Sequence, residues 1–286
     1  INTSFIVIVR SLLTIFFVFN ISAIHAQLDT AFYLAPIPEW LNQTQEIEIS
    51  TPFPNATVII FNSDSSYYNQ VSLSQGVPNT IYLNTTAQGL QSTFGAISTQ
   101  LGNQVLDRAA LFVRSDRDIV LTQRVTQQYN QDLLSAKGTR ALGKTFLAGN
   151  QTKIVNAPPA PEAALGFISF VAIEDNTNVS VNLPPGITNK NGDNIVSCVL
   201  NKWQSYTVTL DEDQQFAGAS IVSSKPISVT TGANHVKQNS GGPEQDGGMD
   251  QLVPQDLVGN EYVIAPGASS GKFRLFGDNS NTDDNT

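Results

Sequence analysis

Two stretches of this chain carry residue types that do chemistry in other proteins. The first, Gly138-Thr139-Arg140-Ala141-Leu142-Gly143-Lys144-Thr145, fits G-x-x-x-x-G-K-[ST] letter for letter. That pattern describes a loop whose amides and lysine cradle phosphates. It requires a buried strand before it and a helix after it, because the helix N-terminus supplies the amides. The flanks here are Asn130-Gln131-Asp132-Leu133-Leu134-Ser135 and Phe146-Leu147-Ala148-Gly149-Asn150. Neither flank suits its part, and nucleotide binding is not expected.

The second stretch is Gln238 to Gln251, QNSGGPEQDGGMDQ, which gathers Glu244, Asp246 and Asp250 among glycines. Carboxylates on a flexible loop are ligands for Ca²⁺. The plainer reading is a long solvated connection whose glycines serve its turns. Asp278 to Asp284 has the acid spacing of a calcium loop but lacks the glycine at its sixth position.

His235 is the only histidine beyond residue 26. One histidine makes no zinc cluster, and no Ser-His-Asp set can be assembled around it from spacing. It reads as a loop residue. A hydrolytic site would have to come from His235, Asp246 and Asp250. Cys198, flanked by Val196, Val199 and Leu200, is the sole cysteine and reads as a small core residue. No cofactor and no metal are assigned. Tyr67, Tyr68 and Tyr129 stand among serine, asparagine and glutamine at comparable places after strands. Tyrosine with Asn and Gln is a recognition surface for protein or glycan, or an ordinary polar loop.

The elements that would hold these residues are strands. Charged residues make up 14% of the chain, and the rest is rich in Thr, Ser, Asn and Val, which suits half-buried strands. No amphipathic helical window stands out beyond the N-terminus. Gly218 to His235, GASIVSSKPISVTTGANH, reads as a hairpin turning at Ser223-Ser224-Lys225-Pro226. Ala110 to Arg124 repeats the device, with Val113–Val120 standing where Val222–Val229 stands. Phe167 to Leu183 reads as a related hairpin turning at 174–178.

The fold class is therefore all-β, built from antiparallel hairpin modules in repeat. Propeller-like packing is favoured and tandem β-sandwiches are the alternative. The segments are 1–26 as a signal peptide and 27–45 as a lead-in. A first module at 46–150, closed by a strand at 144–148, is joined by a Pro-rich link at 151–166 to a second module at 167–270. A truncated third begins at 271–286.

Arg10, the apolar run 11–19 and Ala23-Ile24-His25-Ala26 have the order of a secretory leader. A membrane anchor is the other use of such a run, but Arg10 interrupts it and the part after Arg10 is short for a bilayer. No stable membrane span is expected after cleavage. The chain carries 15 basic and 24 acidic residues, a net charge of −9. That surface repels phosphate backbones, so nucleic acid is excluded as a partner. Triplets at Asn42, Asn55, Asn84, Asn150 and Asn178 would matter only in a eukaryotic secretory pathway.

Ser224-Lys225-Pro226-Ile227, Gly232-Ala233-Asn234-His235, the glycine-rich loop, Asp250-Gln251-Leu252-Val253-Pro254 and Gly259-Asn260-Glu261-Tyr262 occur in this order. The series resembles the N-terminal domain of IgG Fc-binding proteins, which also occurs in exported bacterial proteins. The likeness covers Glu46 to the end and is strongest from Phe167 to Pro266. Animal members carry cysteines near the G-x-N-H and D-x-L positions; this chain has none there, so their disulfides do not carry over. The resemblance implies a secreted or cell-surface, non-catalytic adhesion module, similar to a Gram-negative bacterial surface protein, that grips an extracellular protein or glycan through loops. The alternatives are a stalk that projects another domain and, less favoured, an extracellular hydrolase.

Overall fold

The computed structural model describes residues 28–38, 44–63, 68–83, 96–97, 102–126, 131–149, 165–211, 214, 216–236 and 246–259. Residues 1–26, read as a leader, residues 151–164 of the Pro-rich link and the segment after 259 lie outside them, whereas Leu165 and Gly166, read as the end of that link, open a strand. The first ten strands are β1 (Asp29–Leu34), β2 (Ile37–Pro38), β3 (Thr44–Ser50), β4 (Asn55–Phe61), β5 (Tyr68–Ser74), β6 (Asn79–Tyr82), β7 (Ala96–Ile97), β8 (Val105–Leu106), β9 (Leu111–Thr126) and β10 (Gln131–Ser135). The remainder are β11 (Leu142–Leu147), β12 (Leu165–Ala172), β13 (Thr177–Asn182), β14 (Ile195–Leu200), β15 (Ser205–Asp211), β16 (Ser220–Val236) and β17 (Asp246–Gln251). The described residues are all-β apart from two 3-10 turns, Gly138–Ala141 and Gln255–Leu257, and include no helix able to cross a membrane.

Each half of the chain is wrapped around one long strand. The first half of β9 pairs with β4 and β1, and its second half pairs with β3 and β10. β16 does the same with β13 and β11, then with β12 and β17. Edge strands β5 and β6 in the first copy match β14 and β15 in the second. The described residues thus hold two copies of one seven-stranded unit, in the same order with the same partners.

What read as two hairpins are these two strands. Ala31 pairs with Arg114 but Asp29 with Ile119, so a kink at Ser115–Asp118 stands out of the ladder on that side. Thr145 pairs with Val222 and Gly143 with Ile227, which leaves Ser223–Pro226 out in the same way. Ser115 therefore stands where Ser223 stands, one position from the correspondence read off the sequence. The kinks are also fastened alike. Thr57 N–H donates to Asp116 Oδ1 (2.7 Å), and Asn178 N–H donates to Ser224 Oγ (2.9 Å). Polar residues with a proline mark a bulge as readily as a reversal, since either frees an N–H from the ladder. A strand that kinks in this way can pass from one sheet to another.

Phe167–Leu183 is not a hairpin either. β12 and β13 lie on opposite sides of the β16 kink and are joined by a corner at 173–176. A propeller would set separate blades around an axis; here the shared long strand nearly closes each copy on itself. The arrangement is a tandem of barrel-like sandwiches.

Alternation along these strands builds two cores. Ile47, Ile49, Val58, Ile60, Val113, Ile119 and Leu121 fill the first. Ile168, Phe170, Val179, Val181, Ile221, Ile227 and Val229 fill the second. A fully buried side chain of this size contributes about 1.5–3 kcal/mol. The strand expected at 144–148 to close the first copy falls on β11, which ends at Leu147 and pairs with β16 in the second.

The copies interlock. β8, from the first copy, pairs with β15 at the edge of the second. Asn103 N–H donates to Thr207 O (2.8 Å), and Asn103 Nδ2 donates to Thr209 Oγ1 (2.7 Å). Phe112 and Phe61, on the outer side of the first copy, receive Trp203 from the second, with Tyr33, Ala110 and Val171 beside them. The rings of Phe112 and Trp203 meet edge to face at 3.9 Å between centroids.

Candidate binding surface

The phosphate-loop pattern falls on a 3-10 turn and a strand. Gly138–Ala141 is the turn, and Thr139 N–H donates to Asp29 Oδ2 (2.7 Å), a partner inside the protein. Lys144 lies mid-strand in β11 with its side chain exposed. Gly143 is glycine because Pro254 rests on it: a Cβ there would come within 2.1 Å of the proline Cβ. The pattern is thus explained by packing, and no helix presents amides to a phosphate.

The acidic stretch differs from the expected loop. Asp246 to Gln251 is strand β17, and its glycines answer to close packing as well as to turns. A Cβ on Gly232 of β16 would lie 2.3 Å from Gly248 O in the opposing strand. Asp250 is exposed and paired with Lys137 Nζ, which also donates to Gln251 O. Glu244 lies outside the described residues. Among the described residues no three His, Cys, Asp or Glu groups converge as a metal site would require.

His235 sits within β16 rather than in a loop. The ladder shifts between Ala233 and Val236, and Val236 pairs with Asp246, which brings His235 and Asp246 near one another along the backbone. Asp250 pairs with Thr231, further along.

Gln251, from the D-Q-L-V-P segment, ties the copies together. Its Nε2 donates to Tyr33 O and to Ser228 Oγ (both 2.9 Å), while its Oε1 accepts from Lys137 N–H (2.7 Å).

Tyr68 opens β5 and is 56% exposed. Tyr67 and Tyr129 lie outside the described residues. Tyr68 pairs with Phe61 at the end of β4, and Phe61 in turn pairs with Phe112 near the start of β9.

Sequence reasoning missed a surface on the second copy. The outer face of β14, β13 and β16 holds a shallow groove of about 550 Å³ lined by Asn178, Ser180, Ser197, Val199, Val222 and Ser224. Val199 is 56% exposed, Val222 47%, and Ile195 at the margin 61%. Exposed apolar side chains on an uncharged polar floor are a feature of binding faces. Ser223 and Ser224 were read as part of a turn, and β14 itself was not read as a strand.

Cys198 packs from β14 against the second core. Burial pushes its thiol from an ordinary 9.0 up to about 12. Burial, with smaller contributions from Cys198 and Asp193, pushes Tyr206 from 10.0 to about 12. Both groups favour the neutral form when folded, so the unfolded chain loses these protons first as pH rises. Stability is expected to be flat in this respect below pH 9 and to fall between about 9 and 12. Denaturant titrations across that range should show the decline, smaller in a Cys198→Ser variant. At pH 8 a thiol reagent should label Cys198 far more slowly in the native protein than in urea.

The family model described as IgGFc binding protein matches residues 135–284. The chain belongs to this family. The matched span begins at the last residue of β10 and takes in the whole described second copy. The resemblance read from the sequence extended back to Glu46. Membership in the IgGFc-binding family places the chain among binding proteins. No curated protein matches it.

Proposed function

We propose that this chain is an exported, non-catalytic module that binds a protein partner on its second copy. The observation that carries this reading is the family match at 135–284, which falls on the copy with the exposed groove. The leader pattern supports export. Tyr67, Tyr68, Tyr129 and His235 are proposed as further contacts apart from this groove, with Tyr68 exposed at the start of β5 and His235 within β16. The family description names one partner to assay first, the Fc part of immunoglobulin G; other extracellular proteins and glycans belong beside it.

An array of serum proteins and glycans probed with the labelled chain tests this. Binding to a protein, cut at least about tenfold by Val222→Glu, is the expected result, that being the loss when a buried contact worth about 1.4 kcal/mol is removed. Glycan binding, or no binding by a folded chain, would favour the glycan or stalk alternative and overturn the proposal.

A further inference from the structure

An open edge of the second copy is strand β14, Ile195-Val196-Ser197-Cys198-Val199-Leu200, which pairs only with β13 among the described residues. Leu183 N–H donates to Asn194 O (3.0 Å). Bonded pairs alternate along an antiparallel ladder. Val196, Cys198 and Leu200 therefore direct their backbone groups to β13, and Ile195, Ser197 and Val199 direct theirs outward. Natural edges are guarded by charge, proline or a covering segment. β15, towards the opposite end of the same eight-stranded sheet, is covered by β8; β14 carries no charge and no proline.

We propose that β14 pairs antiparallel with β14 of a second copy of this chain, across a two-fold axis at Ser197. Three observations select this occupant. The outward groups are self-complementary, because an axis at Ser197 sets Ile195 of each copy opposite Val199 of the other, and each free N–H meets a free C=O. The apolar side chains that meet are those left exposed, Ile195 at 61% and Val199 at 56%. Charge agrees as well: Asp193 and Lys202, both exposed, flank β14 at opposite ends. Antiparallel pairing lays Asp193 of one copy opposite Asn201 of the other, beside its Lys202, and opposite charges across strands are favourable. A net charge of −9 opposes association at long range, and the uncharged edge keeps that repulsion out of the contact. The β13–β14 faces of the two copies then form one continuous sheet. Pairing of this edge does not depend on the proposed partner and is measured without one.

Sedimentation equilibrium of the intact chain from about 1 μM to about 1 mM covers the range in which weak to moderate association is seen. The wild type should shift from single to doubled mass, and Val199→Lys, an exposed change, should stay single over the same range. In a Cys198→Ser background, Ser197→Cys should give covalent dimers under mild oxidation, whereas Ser180→Cys, one strand in from the edge, should not. A wild type of single mass throughout would overturn the proposal, including one that instead captures extended peptides. So would a Val199→Lys variant that dimerises normally, or dimers that Ser197→Cys fails to cross-link.

Discussion

Gly143→Ala is expected to destabilise the protein by about 3 kcal/mol, the upper part of the usual range for overpacking a filled site. The added Cβ would lie 2.1 Å from Pro254 Cβ and 2.6 Å from its Cγ. A proline ring cannot swing aside as the end of a long side chain can. Relief requires either β11 to leave β16 or the segment holding Pro254 to lift, and Leu252 N–H, two residues before that proline, is bonded to Val229 O (2.8 Å). Urea denaturation would read the loss. Lys144→Ala, at an exposed position, should stay within about 0.5 kcal/mol of wild type. A phosphate-binding loop would give a different pattern, with nucleotide affinity dependent on Lys144. Near-wild-type stability for Gly143→Ala would remove the packing account of this glycine.

Phe112→Ala should cost about 3–5 kcal/mol, as large-to-small changes at buried aromatics do. Phe112 is 1% exposed, and its ring contacts Trp203 at 3.9 Å, Phe61 at 5.7 Å and Tyr33 at 6.2 Å between centroids. The cavity would open between the copies, away from either core. Trp203 would gain water as a neighbour, so its emission should shift to the red. The copies should also unfold less cooperatively, with the single transition broadening or splitting. Unchanged emission and an unchanged transition would show that this aromatic cluster does not hold the halves together.

The strand content and the duplication were legible because alternation survives in a single sequence. Ile47 and Ile49, Val58 and Ile60, Ile221, Ile227 and Val229 point inward as their spacing requires. Connectivity was less legible for a physical reason. Ser115–Asp118 and Ser223–Pro226 contain residues that free the backbone from a ladder, and a reversal and a bulge ask for the same ones. Only partners distant in sequence decide between them, here β4 and β1 for one half of β9 and β3 and β10 for the other. The glycines of β17 were read as turn residues because close approach of a strand, such as Gly248 over Gly232, leaves no local mark. β14 was missed because Ile195-Val196-Ser197-Cys198-Val199-Leu200 is apolar on both faces and shows little alternation.

The copies have diverged where they meet. Phe61, Phe112 and Tyr33 make the first copy's outer side aromatic. By the shared strand pairings, the second copy carries Asn182, Ser220 and Leu147 there, and Asn182 Nδ2 donates to Ser220 Oγ (3.3 Å). The second copy is thus not suited to take another in the way the first takes it.

The kink in each long strand also acts as a phase setter. Val113 and Ile119 in one copy, and Ile221 and Ile227 in the other, are separated by the same even number of positions, so both halves of each strand turn the same parity inward. Losing or gaining one residue inside the kink would invert the far half and send Ile119 and Leu121, or Ile227 and Val229, towards solvent. The kink can therefore drift in composition, as Asp116-Arg117-Asp118 against Ser224-Lys225-Pro226 shows, while its length cannot.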